Sequence, residues 1–470
     1  MLLYVPRGLG SRFHDLLRSF AHDPEHRFLD LLPEQRLAQI AAEEGVDFAH
    51  DPGDVYTPAV TLWAFLTQVL SGSKSCVAAV ARVMVLMVML EPPVPSAHTG
   101  GYCKARAKLP DRFLRRLATA VATAVEDQAP DRWRWHGRRV VLVDGFEVTL
   151  EDTDANQGSY PQPSSQQPGL GFPMMRVVVL LAFATAVLLD AAYGPHQGKE
   201  TGEPALFRQL LASLRPGDVV VADRYYCSYW LVALLQAAGV DVVLRLHQRR
   251  KYDFRRGERL GPDDHVVAWA KPARPEWMDA DSYAAVPATL TVREVRVRVT
   301  QRGFRSKQII VATTLRDVTA YPREEIADAY HQRWQAELDI RAIKQTLRME
   351  HLRCKTPAMA QRELWAHLLA YNLVRQVAAA AAQQQNHAPR QLSLAGALQT
   401  LEAFRWLLLA ERPLAGAGVD WVAVMLVAVA THVVGNRPDR VEPRRVKRRP
   451  KPYPRLTKPR AQARQALPEK

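Results

Sequence analysis

A chain of 470 residues exceeds what one hydrophobic core ordinarily fills, so it reads as two or more domains. Its apolar share of 48% is that of a soluble globular protein, and the four cysteines (Cys76, Cys103, Cys227, Cys354) lie too far apart for a disulfide framework or a Cys-x-x-Cys zinc site. The charge is the unusual feature. Lys+Arg 63 against Asp+Glu 48 leaves +15, which calls for a polyanionic partner, nucleic acid before membrane.

The opening residues lack the long apolar stretch of a secretory leader, and the apolar runs at 177–189 and 421–434 are too short for helices to cross a bilayer core of roughly 30 Å. A soluble protein of the reducing cytoplasm is the expectation, with no membrane partner. Residues 1–135 read as helical. Two apolar stretches at 61–70 and 76–90 are separated by the breaker Ser71-Gly72-Ser73. After Pro92-Pro93, the segment 98–108 reads as a loop followed by a short basic element carrying Lys104, Arg106 and Lys108. Helix, turn, helix and a basic element suit a DNA-reading module.

The texture then changes. Arg139-Val140-Val141-Leu142-Val143 predicts a buried strand that ends at Asp144. A polar loop at 151–173 precedes a strand pair over 177–189, and a helix over 205–214 is broken by Pro216-Gly217-Asp218. Val219-Val220-Val221-Ala222 predicts a second buried strand, ending at Asp223; a helix over 230–238 and a strand over 241–246 follow. Strands alternating with helices argue for an α/β core. Residues 248–308 interrupt it as a β-rich insertion. Within it, 291–299 alternates, with Val295, Val297 and Val299 on one face and Arg296 and Arg298 on a basic outer face. Pro322 suits a first helical position, with Glu324 and Glu325 in the first turn, and that helix is expected to run through Leu347. Further helices extend to about 434. Residues 436–470 hold 13 Lys/Arg, 3 Asp/Glu and seven prolines, a composition that predicts a disordered, basic, phosphate-binding tail.

A carboxylate placed where a buried strand ends is held rigidly at the rim of the sheet, which suits coordination of a hard divalent ion. Asp144 and Asp223 meet that description, with Asp152 and Asp154 as competitors for the first position. On the long helix Tyr330, Arg333, Glu337 and Lys344 are spaced by 3, 4 and 7. At about 100° per residue they fall on one face, which also receives Arg341 and Arg348, with Trp334 at its edge. A solvated face carrying an Arg333–Glu337 ion pair is the plain alternative. The mixture of carboxylate, cations, phenol and indole is what a metal-and-phosphate site beside an unstacked base needs.

The pattern Tyr330-x2-Arg333-x3-Glu337-x6-Lys344 resembles, without a gap, the signature of the DDE insertion-sequence transposases that carry the Tyr-Arg-Glu-Lys motif (the insertion-sequence-four-like group). The chain also resembles that family at Val143-Asp144-Gly145, Gly198-Lys199-Glu200-Thr201-Gly202-Glu203, Ala222-Asp223-Arg224-Tyr225-Tyr226, along 244–253, and in the helix with Tyr371-Asn372-Leu373. The resemblance implies an RNase H-like core split by the insertion. The parts are then a helical DNA-binding domain at 1–135, core segments at 136–247 and 309–435 around the insertion at 248–308, and the tail at 436–470.

It further implies two-metal phosphodiester cleavage and strand transfer. Asp144, Asp223 and Glu337 would hold two Mg²⁺, with Mn²⁺ able to substitute. Arg333 and Lys344 would bind phosphates, Tyr330 would orient the cut strand, and Trp334 would stack a flipped base, with core packing as the alternative. Arg224, Lys104, Arg106 and Lys108 complete the candidate DNA contacts. The partners implied are the element's terminal inverted repeats and a target duplex in the bacterial nucleoid, met by a homodimer. A nuclease on the same fold that never joins ends, or a domesticated DNA-binding protein, are the competing readings.

Overall fold

The structure is a computed structural model describing residues 34–51, 53–90, 95–298, 308–409, 420–435 and 454–466. Five helices come first: α1 (Glu34–Glu43), α2 (Pro58–Leu70), α3 (Cys76–Leu90), α4 (Gly100–Arg106) and α5 (Asp111–Asp127). Thr57 caps α2, its hydroxyl accepting from the Val60 N–H, with Pro58 at the first helical position. Every residue of α2 is buried. The helix α5 is amphipathic and turns Phe113, Leu114, Leu117, Val121 and Val125 inward.

The sheet follows as β1 (Val140–Leu150), a short helix α6 (Asp154–Ser159), β2 (Met174–Ala182), β3 (Leu188–Pro195), α7 (Glu203–Arg208), β4 (Val219–Ala222), α8 (Tyr229–Ala237) and β5 (Asp241–Arg245). Next come β6 (Glu258–Gly261), β7 (Asp264–Ala270), α9 (Ala280–Ala285), β8 (Thr289–Arg298) and β9 (Gln308–Thr313). The ten-stranded sheet has the order β3-β2-β1-β4-β5-β9-β8-β7-β6, and a two-residue strand, β10 (His351–Leu352), pairs with β1. Its centre, β1-β4-β5, is parallel; its flanks are antiparallel. The strands predicted as a β-rich insertion thus continue the same sheet through β9.

Two expectations are corrected here. β1 does not end at Asp144 but runs to Leu150, because β2 pairs with it from Val141 through Thr149 while its other neighbour β4 stops at Ala222. β8 is not divided into an apolar and a basic face along its length. Arg293 and Glu294, on opposite faces, are both buried. The Arg293 guanidinium donates to both oxygens of Asp264 (2.9 and 2.6 Å) and to the carbonyls of Leu315 (3.2 Å) and Tyr321 (2.8 Å). Glu294 accepts from the Trp269 indole N–H (2.9 Å). Only Arg298 reaches well into solvent.

The chain returns along α10 (Arg323–His331) and α11 (Trp334–Arg341), then a π-helical turn at Ala342–Thr346, and the long α12 (Pro357–Gln384). Helices α13 (Leu394–Leu409) and α14 (Trp421–Ala430) pack beside α12. α12 lies against α5 and α2, and Asn372 locks the layers together. Its amide donates to the carbonyls of Ala118 and Leu188 and accepts from the Leu188 N–H, each at 2.8 Å. The first core segment, α12 and the amino-terminal helices therefore share one continuous core. All four cysteines are free thiols. The tail expected to be disordered falls mostly outside the described residues; its described part contains a short helix, α15 (Arg460–Gln465). Among the described residues no helix is long and apolar enough to cross a membrane.

Candidate active site

The parallel register sets the site. Val143 pairs with Ala222, and Ala222 with Leu244, so Asp144, Asp223 and Arg245 come next at the same level. β4 ends there and leaves Asp223 at the sheet rim, its carboxylate accepting from the Tyr225 N–H (2.7 Å). Asp144 accepts from the Gly145 N–H (2.9 Å).

The helix α11 packs over β1. At its start Arg333 donates to Glu337 (2.7 Å) and lies 3.7 Å from Asp144, so one guanidinium stands between two of the three predicted carboxylates. Tyr330 is buried beside Arg333. Burial pushes the Asp144 carboxyl from 3.8 up to about 6; the Gly145 N–H and Arg333 pull it down, and Glu203 and Glu337 push it up.

Among the described residues no group of three or more His, Cys, Asp or Glu is assembled to hold a metal ion. The physical reason lies in Arg333, which draws Glu337 toward itself as an i,i+4 ion pair. The donor chemistry nonetheless fits a hard divalent ion: ionisable oxygens on a rigid strand, a strand end and a helix, with a cation already attracted between two of them.

The continuous helix expected from Pro322 to Leu347 is corrected. It is interrupted at Gln332-Arg333 and closes with a π turn, both places where the chain departs from 3.6 residues per turn. Lys344 consequently leaves the face of Arg333 and Glu337. With Lys74, Arg348 and Arg353 it lines a separate basic groove of about 410 Å³. Lys74 crosses from the amino-terminal helices to this helix end, donating to the carbonyls of Leu347 (2.6 Å) and Arg348 (2.7 Å).

Trp334 is 40% exposed, open to a stacking partner rather than packed in the core. Arg224 donates to Gln248 (2.9 Å). Lys104 and Lys108 are exposed on α4 and just past it, but Arg106 turns inward. It donates to Gln68 (3.0 Å), 5.0 Å from the Phe65 ring centre, so its charge serves the helical core. Asp152, the competing first acid, is exposed and accepts from Gln157 (2.9 Å), and Asp154 sits exposed in the first turn of α6.

Sequence reasoning missed one neighbour. Glu203, quoted above only as part of a family-like stretch, sits with its carboxyl against the Cα of Gly145. The signal was present in the glycine immediately after the first acid.

With this geometry in hand, the comparisons can be set beside it. The Transposase DDE domain family matches residues 135–373, from just before β1 into α12. The transposase InsG of insertion sequence element IS4 from Escherichia coli K12 is 28% identical over 379 residues, covering 78% of this chain and 81% of that protein. The transposase of insertion sequence element IS421 from Escherichia coli is 41% identical over 54 residues, 12% of this chain and 15% of that one. The piggyBac transposase, solved as a synaptic complex with hairpin DNA, superposes with a TM-score of 0.41 at 11% identity, over 92% of this chain and 88% of that chain. Since the family match spans β1, β4 and the Arg333–Glu337 helix together, the chain belongs to the DDE transposase family.

Proposed function

We propose that this DDE transposase acts on the ends of its own insertion sequence, cutting them and joining the freed 3′-hydroxyls to a target duplex. The observation that carries the reading is the juxtaposition of Asp144 and Asp223 on neighbouring parallel strands beneath an Arg333–Glu337 pair on α11. The strand order β3-β2-β1-β4-β5, antiparallel then parallel, supports an RNase H-like core. In this reading residues 1–135 form the DNA-binding domain, 136–247 and 309–435 the core, 248–308 the insertion, and 436–470 a basic arm.

Asp144, Asp223 and Glu337 would hold the divalent ions, Mg²⁺ with Mn²⁺ as substitute, which supply charge stabilisation at the phosphate undergoing displacement. The chain's own residues do the rest. Asp144 and Asp223 are fixed by strand pairing, so they present oxygens at constant spacing. Glu337 reaches the same point only by leaving Arg333, and the guanidinium it leaves becomes free to grip a phosphate in a bidentate manner. Tyr330, packed beside Arg333, orients the strand terminus, and exposed Trp334 offers a face to an unstacked base. Lys344 acts from its own groove, on a phosphate displaced from the one Arg333 holds. Arg224, Lys104 and Lys108 add exposed or half-exposed contacts to duplex. We place the enzyme in the cytoplasm at the nucleoid, as a homodimer bridging two ends.

Incubating the protein with element-end DNA, Mg²⁺ and a supercoiled target tests the reading. Joined products are expected from the native chain, and neither cleavage nor joining from Asp144→Asn, Asp223→Asn or Glu337→Gln. Substantial cutting by any of the three removes that residue from the site, and cleavage without joining by the native chain makes it a nuclease.

A further inference from the structure

We propose that Glu203 is a fourth carboxylate of the divalent-ion site, standing between Asp144 and Asp223 and adding to the site's cation affinity. The inference rests on the site reading above and adds a residue to it.

Three observations place Glu203 there. First, the backbone makes room for it. A Cβ on Gly145 would lie 2.5 Å from the Glu203 carboxyl carbon and 2.6 Å from Oε1, distances no side chain tolerates. The residue directly after the first acid is therefore a glycine because the Glu203 carboxyl occupies that space. Second, Glu203 is fixed from the segment that carries the second acid. Its Oε2 accepts from the hydroxyl of Tyr226 (3.1 Å), three residues beyond Asp223. Tyr226 is itself immobilised: 1% exposed and edge-on to Phe207 at 5.5 Å between centroids. Third, Glu203 has no ion pair among the described residues; its given hydrogen-bond partner is that neutral phenol.

The electrostatics agree with the placement. Among the charges that raise the proton affinity of Asp144, Glu203 weighs ahead of Glu337, and Asp223 is the leading charge raising that of Glu203. Three carboxylates held this close with only Arg333 and more distant cations nearby repel one another. A hard cation relieves that repulsion, and each fixed oxygen contributes to holding it. Tyr226, with its own ionisation pushed well up by burial, remains a donor throughout and keeps one Glu203 oxygen occupied, leaving Oε1 for the cation or its water shell.

Direct titration with Mn²⁺ alone, without DNA, reads this apart from activity, by calorimetry or by loss of the free-ion paramagnetic resonance signal. Glu203→Gln keeps the size and an acceptor for Tyr226 and is expected to weaken Mn²⁺ binding at least tenfold. Gly145→Ala, which evicts the carboxyl while leaving Glu203 in place, should weaken it comparably. Circular dichroism confirms that each variant is folded. If Glu203→Gln fails to fold, Tyr226→Phe frees the same carboxylate and should weaken binding severalfold. Native-like Mn²⁺ affinity in Glu203→Gln (or, where that variant does not fold, in Tyr226→Phe), alongside lost affinity in Asp144→Asn, would overturn the role of Glu203 and leave the site intact. Native-like affinity in Asp144→Asn as well would sink both.

Discussion

Replacing Asp144 by asparagine should make the ion-free protein more stable while destroying its function. Burial raises the Asp144 carboxyl from 3.8 to about 6. With about 1.36 kcal/mol per tenfold change in proton affinity, ionising it in the folded protein costs about 3 kcal/mol relative to the unfolded chain. The sign follows from the direction of the shift. A raised carboxyl binds its proton more tightly in the native state, so its contribution is favourable below about pH 3.8 and is lost as pH climbs through about 6. At pH 8 the native protein carries the full cost. Asparagine keeps the acceptor for the Gly145 N–H but has no charge to bury, so it escapes the cost.

Equilibrium denaturant unfolding in a chelator, followed by tryptophan fluorescence, gives the comparison. Asp144→Asn is expected to exceed the native protein by up to about 3 kcal/mol at pH 8, with the gap closing toward pH 4. Adding Mn²⁺ should then reverse the ranking. Saturation at 100 times the dissociation constant stabilises the native chain by about 2.7 kcal/mol, and the variant should gain much less. A variant less stable than the native protein at pH 8 in chelator, or a gap indifferent to pH, would refute the placement of Asp144 in a desolvated, carboxylate-rich site.

Other outcomes follow from the same geometry. Asn372→Ala removes three buried bonds and strands the Leu188 backbone groups, so it should cost about 2–4 kcal/mol in the same unfolding assay. Burial and the Lys74 cation hold His367 down at about 3 against an ordinary 6.5, so the unfolded chain takes up the proton first as pH falls. Stability should therefore drop between pH 6.5 and 3 by up to about 5 kcal/mol, and His367→Gln should flatten that limb of the pH profile. Deleting residues beyond 435 should weaken binding to specific and random duplexes alike and lower the slope of affinity against salt; an unchanged slope leaves the tail a solubilising segment. Mixing Glu337→Gln protein with a Lys104→Ala, Lys108→Ala variant should restore cleavage that neither has alone, if one subunit cuts the end its partner holds. Arg106 is left untouched in that test because its guanidinium holds Gln68 inside the helical core.

What the sequence displayed and what it concealed divide along a physical line. Asp223 was legible because an apolar strand stops immediately before it, and local pattern reports where local structure ends. Asp144 was found for a reason only partly sound, since β1 continues past it; the site forms there because β4 stops, an event in a different strand. Lys344 was misplaced by projecting 100° per residue through a segment that winds as a π turn, a choice made by tertiary contacts such as the Lys74 ammonium on the Leu347 and Arg348 carbonyls. Arg106 counted as a surface charge until Gln68 and Phe65, nearly forty residues earlier, claimed it. Glu203 lay hidden most deeply, because its position is recorded in a missing atom, the Cβ that Gly145 lacks. The consequence for the site is specific. Arg333 neutralises Asp144 and Glu337 together, so each carboxylate that a cation recruits must be won from that guanidinium, and releasing Arg333 is what would make it available to a phosphate. Cation binding and DNA binding should therefore be coupled. Mn²⁺ should bind more tightly when end DNA is present, and by linkage the DNA more tightly when Mn²⁺ is present, by the same factor. Arg333→Ala, which leaves both carboxylates without their competitor, should bind Mn²⁺ more tightly than the native chain in the absence of DNA and lose most of that coupling. Equal or weaker Mn²⁺ binding by the folded Arg333→Ala protein would mean that the guanidinium organises the carboxylates rather than competing for them.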